Sequence, residues 1–96
     1  MKKINKISIV FSGSRETKEV LSEVEQVIEN SGASIISSVN IKSLNSLNKK
    51  RISESDLILV LGGDGTMIAS IRSLHELNIP FLGINLGAVG FLTDLP

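Results

Sequence analysis

The 96-residue sequence contains no cysteine, which excludes a disulfide framework, a thiolate nucleophile and any cysteine-ligated metal site. It also lacks an excess of charge of either sign. Ten basic side chains balance ten acidic ones and are scattered along the chain, so there is no electrostatic footprint for nucleic acid or an anionic membrane surface. The one basic run, Lys49-Lys50-Arg51, reads as a solvated helix face or loop. No apolar stretch approaches the roughly 20 residues a membrane span needs. The apolar segment after the charged start, Ile7 to Phe11, is too short for the core of a signal peptide. Two phosphate-binding signatures are missing as well. A Walker loop needs a Gly-Lys pair, which the chain does not have, and a dinucleotide fingerprint GxGxxG fails because Ile68 stands at its last position. The expectation is a soluble cytoplasmic protein with neither nucleic acid nor membrane as partner.

What is present is an apolar fraction of 42%, enough for a core within one domain. Ile7, Ile9, Val10 and Phe11 form a short branched segment closed by Ser12-Gly13-Ser14, which predicts a strand and its turn. From Glu16 to Asn30 the apolar positions Val20, Leu21, Val24, Val27 and Ile28 trace one helix face, with Ser14 placed as N-cap and Gly32 as the residue past the C-cap. Ala33 to Ile41 offers a second strand, and Ser43 to Ser55 a short helix through Leu44, Leu47 and Ile52. Leu57 to Leu61 is apolar without alternation, as in a parallel strand covered on both faces. A helix from about Gly65 to Leu77 is expected to turn Ile68, Ile71, Leu74 and Leu77 inward, with Pro80 marking its limit. Phe81, Leu82 and Ile84 make a fourth strand.

This alternation predicts an α/β fold: an open, mostly parallel sheet of about four strands with helices on both faces and right-handed crossovers. With the order 2-1-3-4, the loops after the first and third strands face one crevice at the carboxyl ends, bringing Ser12-Gly13-Ser14-Arg15 near Gly62-Gly63-Asp64-Gly65. At the second of these turns the amides of Gly65, Thr66 and Met67 are expected to be unpaired at the positive end of a helix, where glycine lets a ligand approach the backbone. Asp64 has two readings there. It can cap the helix, accepting from those amides. Alternatively it acts on a hydroxyl beside phosphates, as general base or Mg²⁺ partner in phosphoryl transfer. Three glycines around it favour a ligand, because a cap needs one special residue. A bare carboxylate beside a pyrophosphate would be repelled by several kcal/mol at low dielectric, so a hydroxyl or a cation has to stand between them.

Gly62-Gly63-Asp64-Gly65-Thr66 after an apolar strand resembles the GGDGT signature of NAD kinases, of diacylglycerol and sphingosine kinases and, more loosely, of 6-phosphofructokinases. The later stretch from Leu82 through Gly87-Ala88-Val89-Gly90-Phe91-Leu92-Thr93-Asp94 to Leu95 resembles the NAD kinase segment GIN-x-G-x-LGFLTD, with Val89 in place of the commoner leucine. The two segments also stand about as far apart as in that family.

The resemblance implies the N-terminal α/β nucleotide-binding domain of an NAD kinase over residues 1–96, without the family's β-rich C-terminal domain. It implies Mg²⁺-dependent transfer from ATP, or polyphosphate, to the 2′-hydroxyl of NAD, giving NADP. Asp64 is then the catalytic proton acceptor. Gly62, Gly63, Gly65 and Thr66 handle the dinucleotide and its phosphates, and Phe91 lines the dinucleotide site. Ile68, one turn on, is placed to line it or to join the core. NAD and ATP are the implied partners, Mg²⁺ or another divalent cation the cofactor, and a homo-oligomer the implied full-length state. No protein metal ligands are assigned. The 96-residue piece alone is expected to be inactive. Two other classes stay open: a lipid or sugar kinase sharing GGDG, and a nucleotide-binding or assembly module without catalysis.

Other residues carry less. His75, near a helix end, reads as solvated or dipole-facing. Arg15 is placed either to reach a phosphate or to sit as a surface cation. Asn85 is expected to hold its turn through its own backbone.

Overall fold

The computed structural model describes residues 3–86. Strand β1 (Lys6–Phe11) leads into helix α1 (Arg15–Asn30), then β2 (Ser34–Asn40), a 3₁₀ turn (Ile41–Ser43) and α2 (Ser46–Ile52). Strand β3 (Leu57–Gly62) follows, then α3 (Asp64–Leu74), a second 3₁₀ turn (His75–Leu77) and β4 (Phe81–Asn85). All pairings are parallel and the sheet order is β2-β1-β3-β4, the expected arrangement. Among the described residues, no helix is long and apolar enough to cross a membrane.

Local chemistry accounts for the ends of α1. The Ser14 hydroxyl accepts from the Thr17 amide at 3.2 Å, and Gly32 takes φ of +93° just beyond the helix, where an L side chain would be strained. The weaker helical pattern after Ile41 resolves into a 3₁₀ turn and the two-turn α2, whose start is closed by reciprocal bonds between Asn45 and Asn48.

Two apolar layers cover the sheet. Ile28 with Leu21 and Val24 of α1 packs on Ile7, Ile9, Leu59 and Leu61. On the opposite face Ile52 of α2 and Leu74 of α3 pack on Val10, Val39, Ile58 and Val60. The central strands β1 and β3 therefore bury both faces, as the unbroken apolar run of β3 requires. Each fully buried Ile, Val or Leu contributes about 1.5–3 kcal/mol relative to exposure.

One expectation is corrected. Helix α3 buries Ser70 and Leu74, with Met67 half-buried beside them, while Ile68 and Ile71 are 54% and 41% exposed. Met67, Ser70 and Leu74 follow the i, i+3, i+7 spacing of one face. Serine hides that face from a count of apolar residues, because the Ser70 hydroxyl is satisfied within the helix by the Thr66 carbonyl at 2.7 Å. The basic run lies on α2 with Lys50 and Arg51 exposed, as expected. Strand β2 carries an extra residue, Ile36, between the pairs Ile7–Ile35 and Ser8–Ser37, and Arg51 Nε donates to the Ile36 carbonyl at 2.7 Å. That contact ties α2 to the edge strand at its bulge.

Candidate active site

The carboxyl ends of β1 and β3 lie side by side, since the Ser12 amide donates to the Leu61 carbonyl at 3.0 Å. Gly62 ends β3 with φ of +154°, and a Cβ there would stand 2.7 Å from Thr66 Oγ1 and 3.2 Å from Ser12 Cβ. Glycine is thus required at position 62 by the turn and by close packing of both loops. Gly63 and Gly65 differ. Both have ordinary negative-φ backbone, and among the described residues a Cβ added to either meets nothing within 4 Å. Helix geometry does not call for glycine at either, and the described residues leave the space over both open.

Asp64 is the first residue of α3, where the helix dipole favours a carboxylate. It is not the cap. Gly63 occupies that position and offers no side chain, so among the described residues the helix has no side-chain cap hydrogen bond. The Met67 amide, expected to be unpaired, donates to the Gly63 carbonyl at 3.2 Å and begins the helical ladder. The exposed Asp64 carboxylate instead takes a bond from across the sheet, with Asn85 Nδ2 donating to Asp64 Oδ1 at 2.8 Å. Asn85 thus acts through its side chain as well as by its place in the strand, a role the turn reading missed. The signal was available in the register: a parallel β4 aligned with β3 sets Asn85 opposite Gly62.

Between the first turn of α3 and the ends of β3 and β4 lies a hollow of about 70 Å³. Gly62, Gly63, Asp64 and Asn85 line it together with the apolar Val60, Met67, Gly83 and Ile84. Gly83 pairs with Val60 and is buried. The hollow opens between β3 and β4; none of Ser12, Gly13, Ser14 and Arg15 lines it.

Of the other predicted residues, Thr66 is half-buried with its side chain against Gly62, and Ile68 stands exposed one turn along α3, outside the core. The hydroxyls of Ser12, Ser14 and Thr17 bond one another at the start of α1, while Arg15 and His75 are exposed. Phe91, with Gly87, Ala88, Val89, Gly90 and Asp94, lies outside the described residues. Among the described residues no group of three or more His, Cys, Asp or Glu side chains is placed to hold a metal ion.

A parallel sheet covered by helices on both faces, carrying an acid-bearing glycine turn at the carboxyl ends of adjacent strands, defines a doubly wound α/β domain. Residues 5–96 match the ATP-NAD kinase N-terminal domain, and the chain belongs to that family. It is 32% identical over 91 residues to an NAD kinase of Rickettsia africae (strain ESF-5), covering 95% of this chain and 28% of that protein. An NAD kinase of Methylibium petroleiphilum is 33% identical over 87 residues, covering 83% of this chain and 29% of its own length. An NAD kinase of Geobacter sp. (strain M21) is 55% identical over 42 residues, 44% of this chain and 15% of its own. The chain thus spans between a quarter and a third of the length of the first two relatives.

Proposed function

We propose that the chain supplies the acid-bearing half of an NAD kinase site, which transfers the γ-phosphoryl group of ATP to the 2′-hydroxyl of NAD and yields NADP and ADP. The observation that carries this reading is the placement of Asp64. One of its oxygens is engaged by Asn85, the residue borders a small hollow, and it is flanked by two glycines beside which the described residues leave open space. A carboxylate so placed suits a hydroxyl better than a phosphate, because two unit charges 4 Å apart repel by about 4 kcal/mol at an effective dielectric near 20.

In this reading the 2′-hydroxyl gives its proton to Asp64, its oxygen attacks the γ-phosphorus, and the bond from that phosphorus to the bridging oxygen breaks to release ADP. Gly63 and Gly65 let the dinucleotide approach the backbone, the first-turn amides of α3 face developing negative charge, and Gly62 and Thr66 hold the turn in shape. Phe91 and Ile68 are proposed to line the dinucleotide site. Mg²⁺ fits the donor set as an ion carried by the nucleotide: among the described residues Asp64 is the one carboxylate lining the hollow, and Mg²⁺ keeps several waters and phosphate oxygens when few protein ligands are offered. When bound it neutralises phosphate charge. ATP is the proposed donor, with polyphosphate as the alternative, in a cytoplasmic homo-oligomer.

The test is NADP formation by the native full-length protein, in which Asp64→Asn should lower turnover by about 10²–10⁴-fold. Phosphorylation of a diacylglycerol, sphingosine or sugar acceptor in place of NAD overturns the reading. The 96-residue chain alone is proposed to bind NAD weakly and to transfer nothing, so measurable NADP from that polypeptide contradicts this part of it.

A further inference from the structure

We propose that Asn85 is a positioning residue for the phosphoryl transfer, holding the Asp64 carboxylate turned away from its own helix and toward the acceptor hydroxyl. The inference rests on the reading of Asp64 as proton acceptor. An aspartate at the start of a helix can turn back on nearby backbone amides, which would occupy the oxygen the reaction needs. Here the carboxylate is held instead by a bond from another element, Asn85 Nδ2 to Asp64 Oδ1 at 2.8 Å, and among the described residues no side chain caps the first turn of α3. Using Oδ1 in that bond leaves Oδ2 to receive the proton.

The donor is well anchored. Asn85 pairs with Gly62 in the β3–β4 ladder, and the next amide, Leu86, donates to the Gly62 carbonyl at 3.0 Å. Positioning groups on a strand hold geometry more tightly than groups on loops. Both partners border the same hollow, so the bond crosses its rim and fixes the carboxylate there. An amide suits the task because it donates a hydrogen bond without adding a charge that would compete for the phosphates.

The test is steady-state kinetics of the native full-length protein with Asn85→Ala, the near-isosteric Asn85→Leu, Asp64→Ala and the double variant Asp64→Ala/Asn85→Ala, each checked for folding by thermal melt. A misdirected base should lower kcat by about 10²-fold while KM for NAD stays within about twofold. In the Asp64→Ala background, removing Asn85 should cause no further loss, because its effect passes through the missing carboxylate. If Asn85→Ala does not fold, Asn85→Leu decides, since it nearly keeps the side chain's shape and removes the donor without adding a charge. A raised KM at unchanged kcat, or losses that multiply in the double variant, overturns the role of Asn85 and leaves the kinase reading intact. Absence of NADP formation by the unmutated protein overturns the kinase reading and this proposal with it.

Discussion

The side chain of Thr66 fills the space that a Cβ on Gly62 would need: the two atoms, Thr66 Oγ1 and the added carbon, would stand 2.7 Å apart. The last residue of β3 and the first turn of α3 are therefore packed to contact, and the acid-bearing turn between them is held from both sides.

Gly62→Ala should accordingly destabilise the domain by about 1–3 kcal/mol, through the φ of +154° and through the clash with Thr66. Urea denaturation measures it. A midpoint equal to that of the unmutated protein would show that the turn is not strained.

Gly65→Ala should do the reverse to stability. Its Cβ meets nothing within 4 Å among the described residues and it lies inside α3, so alanine should add about 0.5–1 kcal/mol of helix stability. If the open space over it receives the dinucleotide, calorimetric titration of the native full-length protein should show NAD binding weakened by about tenfold. Unchanged affinity in a stabilised variant would remove Gly65 from the site.

The hydroxyls of Ser8 in β1 and Ser55, just before β3, bond each other in the interior. Ser8→Ala strands one buried hydroxyl and should lose about 1–3 kcal/mol. Ser8→Ala/Ser55→Ala leaves none and should recover part of that loss. Additive losses in the thermal melts would show that the two hydroxyls act independently.

The buried face of α3 can be checked by contrast. Leu74→Ala should lose about 2–5 kcal/mol, because that side chain has no solvent exposure. Ile71→Ala, 41% exposed on the neighbouring face, should lose about 1 kcal/mol or less. Equal losses would restore the inward face that the apolar spacing alone predicts.

Much of the architecture is written in local chemistry. The unbroken apolar run Leu57 to Leu61 demands cover on both faces, Ser14 and Gly32 punctuate α1, and the alternation of strand and helix leads to a parallel sheet, because each of these signals is carried by a few neighbouring residues. The acid between glycines is equally visible, since Gly62-Gly63-Asp64-Gly65 is contiguous. The inward face of α3 and the partner of Asp64 were settled only by the tertiary structure. Ser70 buries its hydroxyl by bonding within its own helix, so polarity misreports its side, and Asn85 reaches Asp64 through a strand register 21 residues along the chain. Residue types set what each position can do. Which atoms meet depends on the pairing of β3 with β4, a long-range choice that no local stretch of residues contains.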